Sequence, residues 1–406
     1  MDWKHLLHTG IWQRVPREVR RSGLFLVTSQ LAPRLTKTAE AKAPFIVAGV
    51  LRTASGLGEG ARLCYDALSR CGYDVFGIDL TARFRQPGPL VDFRFRDGSA
   101  LDGAGTLILH INSPYVPFAL MCLGRRFIKR KRIIGYWAWE LPVAPPEWRF
   151  GLPFVHEIWV PSRFTASAVA AIAGEVPVSV VAHPVAVRGR AAALSSGPRD
   201  SFTALVAFNM ASSFARKNPL AAIQAFTQAF DSDPDCQLTL RVINADLYPK
   251  GYAALSVAIA SLANVRMSEM NSGRVSVEDM YADADVVISL HRSEGFGLVI
   301  AEAMLRGLPV VATNWSGNVD FLTPENGMPV PYALIPATDP QGTFEHPSQT
   351  WADADVQDAA VKLRMLRDDP KMRAALSRRA VLDATSMFGV EQYTRTVGKR
   401  LEVSHN

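Results

Sequence analysis

Between Asp285 and Thr313 the chain reads as strand, glycine turn, helix, glycine stop, strand. Asp285–Leu290 (DVVISL) and Leu308–Thr313 (LPVVAT) are short, nearly continuous apolar runs, and the helix between them begins near Leu298 and stops at Gly307. Strands of this kind are buried on both faces, which points to a parallel sheet covered by helices, an α/β architecture. Such a sheet forms its ligand site at the carboxyl ends of its strands. Gly295 and Gly297 let the backbone approach a ligand and take positive φ. The helix start aims N–H groups and a positive dipole end at that ligand, which favours phosphate. Glu294 lies in the turn before the helix, and Glu302 lies about one turn inside it, on the face of Leu298. Carboxylates beside a phosphate suit a phosphorylated sugar or nucleoside, whose hydroxyls donate to them.

The residues Ser293-Glu294-Gly295-Phe296-Gly297-Leu298, then Glu302-Ala303-Met304, resemble the signature of the retaining glycosyltransferase family 4, whose members have the GT-B fold. Gly307-Leu308-Pro309-Val310-Val311-Ala312-Thr313 and Ser316-Gly317-Asn318-Val319-Asp320-Phe321 carry the same resemblance.

A chain of 406 residues predicts two domains of about 180–200 residues each. With 48% apolar and 20% charged residues the composition is that of a globular protein. No apolar run reaches the ~18 residues of a membrane span, and the start lacks the apolar core of a secretory signal, so a cytoplasmic setting is expected. Cys64, Cys71, Cys122 and Cys236 show no metal-binding spacing and read as reduced thiols. The net charge of +6 is uneven. Lys4, Arg14, Arg17, Arg20, Arg21, Arg34, Lys37 and Lys42 crowd the basic extension at 1–44, which is either a membrane-contacting arm or a packed extension. Arg125, Arg126, Lys129, Arg130, Lys131 and Arg132 form a second run. Both runs suit either a solvated face or an anionic membrane surface. Nucleic acid is not expected, since no helix-turn-helix, zinc or RRM pattern accompanies the charge.

Phe45–Val50, a loop with Gly56, Gly58 and Gly60, a helix over 61–70 and the strand Tyr73–Ile78 make an opening βαβ unit. The G-x-G-x-G spacing differs from a dinucleotide fingerprint. Asp79, however, ends the second strand where a dehydrogenase would hold ribose. The strand Thr106–Ile111 leads to His110 and Asn112, either of which could line a sugar site. Arg132–Tyr136 precedes Trp137, Trp139 and Glu140, and a carboxylate among aromatics suits a sugar or isoprenoid acceptor. The segment G-x-W-x-W-E-L, followed by Glu157-Ile158-Trp159-Val160-Pro161-Ser162-Arg163-Phe164, resembles a bacterial subset of the same family. Ser179–Val185 reads as the last strand of this half and 186–200 as a linker. After the strand Phe202–Asn209, Arg216 and Lys217 stand just before a helix. Two cations there oppose the helix dipole unless an anion lies between, which predicts a diphosphate clamp. A capped helix is expected over 276–284, starting at Ser276. Helices follow over 353–367, 370–385 and 389–401.

The resemblance implies two Rossmann-like domains facing a cleft, at 45–190 on the acceptor side and 201–386 on the nucleotide-sugar side, with 387–406 crossing back to the first. It implies a hexosyltransferase that moves mannose or glucose, from GDP-mannose or UDP-glucose, to a glycan or polyprenyl-linked acceptor in cell-surface polysaccharide assembly. That work would take place in the cytoplasm or peripherally at the inner membrane face. Glu294, His110, Lys217 and Arg216 would be catalytic. Gly58, Arg216, Lys217, Gly295, Phe296, Gly297, Leu298 and Glu302 would bind the donor, and Asn112, Glu140 and His291 would face acceptor or sugar. Preorganised cations would replace a metal cofactor, since no D-x-D motif stands in a suitable place. A GT-B epimerase, a non-catalytic glycan-binding protein on the same scaffold and a nicotinamide dehydrogenase are the rival readings.

Overall fold

The computed structural model describes residues 17–401 except 38, 87, 89, 187–200, 271–279, 282 and 345–347, and the side chains of 17–21 are not described. The predicted 186–200 linker, the start of the basic extension and the expected Ser276 cap therefore lie largely or wholly outside the described residues.

Helix α1 (Arg17–Leu31) buries Phe25, Thr28 and Ser29 on one face and leaves Leu24, Leu26, Val27 and Leu31 exposed. The first sheet contains β1 (Phe45–Gly49), β2 (Val75–Asp79), β3 (Gly105–His110), β4 (Lys131–Tyr136), β5 (Glu157–Val160) and β6 (Val178–Val180). Its order is β2-β1-β3-β4-β5-β6, with all pairs parallel. Helix α2 (Gly56–Arg70) starts five residues earlier than expected, because Ser55 caps it by accepting from the Gly58 amide at 3.2 Å. The glycines thus lie in its first turn. A Cβ on Gly58 would come within 2.4 Å of the Thr53 carbonyl, so close packing of helix end on strand end requires glycine there. Helix α3 (Val116–Leu123) supports α1, and α4 (Arg163–Ala173) follows β5. The last strand of this half is shorter than the expected Ser179–Val185.

The second sheet contains β7 (Phe202–Asn209), β8 (Cys236–Ile243), β9 (Val265–Met270), β10 (Val286–Ser289), β11 (Val310–Thr313) and β12 (Met328–Val330). Its order is β12-β11-β10-β7-β8-β9, again parallel. The short helix α5 (Phe214–Lys217), then α6 (Pro219–Phe230), follows β7, and α7 (Leu298–Leu305) lies between β10 and β11. A two-stranded antiparallel hairpin, β13 (Tyr332–Pro336) with β14 (Thr350–Ala354), was not anticipated. It delays the helix expected from 353, so that α8 (Val356–Asp368) begins after its Asp355 cap. Helix α9 (Pro370–Phe388) leads to α10 (Val390–Leu401), which returns to the first sheet. There Tyr393, Val397 and Leu401 join Phe45, Val47 and Leu68, and the Tyr393 hydroxyl meets Cys64 Sγ at 3.2 Å.

Strand order fixes where a ligand can sit. The first sheet reverses direction of growth between β1 and β3, and the second between β7 and β10. Chain segments leave such switch points in opposite directions and open a crevice at the carboxyl ends. The two crevices meet, since Asn209 Nδ2 at the end of β7 donates to the Ala54 carbonyl beyond β1 at 3.0 Å. Among the described residues no helix is long and apolar enough to cross a membrane.

Candidate active site

The segments leaving β7 and β10 bring three charged groups together. Lys217 Nζ is ion-paired with Glu294 Oε1, and Arg216 Nη1 lies 3.3 Å from Glu294 Oε2. Ser213 caps α5 through its hydroxyl and Asn218 ends the helix in the left-handed region, so a single turn of helix carries both cations. Arg216 is buried and pinned, with Nη1 donating to the Ser293 carbonyl at 2.7 Å and Nη2 to the Ser212 carbonyl at 2.9 Å. Lys217 is held by the Glu294 carboxylate, whereas Arg216 has two carbonyls in addition to it. Burial would raise the Glu294 carboxyl, but the Lys217 and Arg216 charges outweigh it and bring it down to about 2. Lys217 is lowered by burial and by Arg216 beside it, with Glu294 opposing.

The first sheet contributes Glu140. Its Cγ would lie 3.5 Å from a Cβ on Gly295, and it feels Arg216, Glu294 and Lys217, while burial raises its carboxyl above the usual range. Four charged residues from both halves thus surround one point in the crevice.

The Glu294–Gly297 turn is held on every side. Glu294 N donates to Ser316 Oγ at 2.8 Å, and Gly317 N donates to the Glu294 carbonyl at 2.9 Å. Gly297 has φ +101° and starts α7. Among the described residues the amides of Gly295, Phe296 and Gly297 donate no hydrogen bond, which leaves three N–H groups at a helix start, an anion-receiving arrangement.

Several expected residues make no direct contact with these charged groups. His110 is 1% exposed, packed between the first sheet and α2, and stacked on Tyr136 at 4.4 Å. Both its ring nitrogens lack a partner among the described residues, and burial, then His183, hold it well below its ordinary value. His291 is fully buried: Nδ1 meets Ser289 and Nε2 lies 3.0 Å from Asn318 Oδ1, so its ring is hydrogen-bonded within the second sheet's loops, close enough to Glu294 for their charges to interact. Asn112 is half-buried and its Oδ1 accepts from the Ala138 amide at 2.9 Å, which fixes the segment carrying Glu140. The Phe296 side chain is core, between His183, Phe321 and Phe388. Gly58 spends its amide on the Ser55 cap. Leu298 and Glu302 are half-exposed on α7, and Glu302 Oε2 accepts from the Tyr281 hydroxyl at 2.7 Å.

Sequence reasoning missed the hairpin's contribution. Asp339, fully buried, accepts from Ser213 Oγ at 2.8 Å and from the amides of Gln341, Thr343 and Phe344. Phe344 lies under the Arg216 guanidinium at 5.1 Å and against Trp139 at 5.6 Å. Gln349 exchanges two hydrogen bonds with the Val143 backbone. The hairpin loop is thus a strap between the cation turn and the first sheet. The Tyr-Ala-Leu-Ile-Pro run and the turn residues after it were the available signal. A cavity of about 600 Å³ also opens at the carboxyl end of β2, lined by Arg52, Asp79, Asp92, Phe93, Phe95 and Asp97. It lies at the first sheet's edge, away from the cation turn.

The family model described as "Family 4 Glycosyltransferase in conflict systems" matches residues 164–383. A curated relative, D-inositol 3-phosphate glycosyltransferase of Arthrobacter sp. (strain FB24), is 27% identical over 190 residues, 47% of this chain. The match spans only 39% of that relative's length. A glycosyltransferase structure from Rickettsia africae ESF-5 is similar with a TM-score of 0.61 at 12% identity, covering 89% of this chain and 98% of that one. HepE of Anabaena, in complex with UDP and glucose, gives 0.58 at 16% identity over 88% and 99%. TarM of S. aureus gives 0.54 at 13% identity over 74% of this chain and 55% of its own. These likenesses establish the GT-B fold: two parallel sheets with facing carboxyl ends.

Proposed function

The chain belongs to the family 4 glycosyltransferases of conflict systems, and on that premise we propose that it transfers a hexose from a nucleoside diphosphate sugar to an acceptor hydroxyl with retention of configuration. The observation that carries this is the meeting of Lys217, Arg216 and Glu294 at the β7/β10 switch point, beside three amides at the start of α7 that donate to nothing among the described residues. The donor diphosphate takes the place between the cations and the amides. Lys217 swings from Glu294 onto the leaving oxygens, while Arg216 supplies fixed charge from behind. The oriented Arg216 charge, joined by Lys217 after one change of partner, stabilises the departing diphosphate and takes the part a metal would play. Glu294, ionised at any working pH, accepts from the sugar hydroxyls and offsets positive charge as the glycosidic bond breaks. Glu302 takes the ribose hydroxyls. UDP in the HepE and TarM complexes supports a uridine donor, with UDP-glucose ahead of GDP-mannose.

The acceptor is a glycan or a polyprenyl-linked sugar seated on the first sheet. Glu140 faces the reacting centre, and the cavity with Asp79, Asp92 and Phe95 offers carboxylates and an aromatic face to further sugar units. The exposed Leu24, Val27 and Leu31 of α1 and the exposed Arg125, Arg126, Lys129 and Arg130 support peripheral docking on an anionic membrane surface.

Titration of the full chain with UDP, GDP, UDP-glucose and GDP-mannose, with and without a chelator, tests the donor. Binding that survives the chelator, and that Lys217→Ala weakens about tenfold or more, is expected from loss of a charge-assisted contact. Unchanged affinity in Lys217→Ala removes the clamp. For the membrane, co-sedimentation with phosphatidylglycerol vesicles but not with phosphatidylcholine vesicles is expected.

A further inference from the structure

The Gly295–Phe296 peptide belongs to the second half of the chain, yet its carbonyl is held by hydroxyls of the first. Ser162 Oγ donates to the Gly295 carbonyl at 2.6 Å, and Thr165 Oγ1 lies 3.2 Å from the same oxygen. Both side chains are fully buried. Ser162 also caps α4, accepting from the Thr165 amide at 3.1 Å, so a single hydroxyl joins a helix cap to the opposite domain. Beside it, Arg163 Nε meets Asp320 Oδ1 at 2.9 Å and the Arg163 amide meets Oδ2 at 2.8 Å. Gly317 lies flat against the same peptide, since a Cβ there would come within 2.4 Å of the Gly295 oxygen and 2.7 Å of the Phe296 nitrogen.

In a planar trans peptide the C=O and N–H groups point in opposite directions. Fixing the Gly295 carbonyl on Ser162 therefore turns the Phe296 N–H away from the first sheet. That N–H donates to nothing among the described residues and stands one residue before the left-handed Gly297 that opens α7. We propose that Ser162 is a positioning residue: docked on the Gly295 carbonyl, it orients the Phe296 amide toward the donor, so that donor affinity depends on contact between the two domains. This rests on the donor reading given above. A hinge movement that withdraws α4 would free the peptide to rotate and release the ligand with it.

Two substitutions in the full chain separate this from a capping role. Ser162→Gly removes the donating hydroxyl but costs a helix cap only a few tenths of a kcal/mol. Ser162→Thr keeps both functions. Isothermal titration with UDP, GDP, UDP-glucose and GDP-mannose reads affinity, and thermal denaturation without ligand reads folding. For whichever ligand binds the wild-type chain, Ser162→Gly is expected to bind about fivefold to tenfold more weakly, with Ser162→Thr within about twofold of wild type. Wild-type affinity in Ser162→Gly, or equal weakness in Ser162→Thr, overturns the inference and leaves the donor reading standing. If the wild-type chain binds none of the four, the donor reading falls and this inference falls with it.

Discussion

Lys217 and Glu294, 77 residues apart in sequence, form a buried ion pair across the switch point between β7 and β10. Arg216 shares the carboxylate from its other oxygen. One carboxylate is therefore in contact with both cations, and Glu140 is the second anion close enough to feel them.

The first prediction concerns that shared carboxylate. Glu294→Gln leaves two buried cations without a carboxylate in contact, with Glu140 nearby but not ion-paired to them, which costs about 3 kcal/mol of stability. A bound diphosphate replaces the lost charge, so added UDP should raise the melting temperature of the variant more than that of the wild type. A smaller rise in the variant would show that Glu294 and the diphosphate do not compete for the same cations.

Gly317 carries the second. A methyl group there meets the Gly295 carbonyl carbon at 2.5 Å and its oxygen at 2.4 Å, both backbone atoms that cannot rotate away. Gly317→Ala should cost about 1–3 kcal/mol through overpacking and displace the peptide before α7. Chemical denaturation measures the first effect, and nucleotide titration of the folded variant measures the second.

The third tests the strap. Asp339→Ala orphans three backbone amides and the Ser213 hydroxyl that caps the cation turn. A loss of about 2–4 kcal/mol in denaturant unfolding is expected, together with weaker nucleotide binding. Asp339→Asn, which keeps the shape and one acceptor oxygen, should lose less.

The fourth is a pH dependence. His183 is buried against Gly60 and Phe296, with its Nδ1 3.3 Å from the Tyr136 hydroxyl, and burial lowers it from 6.5 to about 4. The unfolded imidazole takes up a proton as pH falls through 6.5, while the folded one resists until about 4. The unfolded chain thus binds more protons in that window, and stability present above pH 6.5 is lost toward pH 4. The loss from this residue is about 3 kcal/mol. His110 and His291, lowered by their own burial, act in the same direction. Unfolding free energies at pH 7, 5.5 and 4.5 should fall in that order, and His183→Gln should flatten the slope.

Much of the second half is legible in the sequence. Apolar strand runs, Gly297, Gly307 and the Arg216–Lys217 pair are local signals, because backbone freedom, helix dipoles and burial act within a few residues. The imidazoles were not legible in this way. His110 and His291 both end or follow strands, where ligand sites form, but which face of the sheet a side chain takes is settled by packing on α2 for one and by Asn318 for the other. The hairpin was missed because β13 is short and exposed despite its apolar residues, and its role lies in Asp339, Phe344 and Gln349 reaching distant partners.

By itself, the sequence determined the α/β class, the chain order of most parallel strands and the family, since those rest on periodicity and on motifs contiguous in the chain. Only the tertiary structure decided that Glu294 lies between Lys217 and Arg216, that Glu140 joins them from the other sheet, and that the Gly295 carbonyl rests on Ser162. These are contacts over tens to more than a hundred residues. They follow from strand order, which brings two switch points face to face, and no local pattern of residues encodes that order.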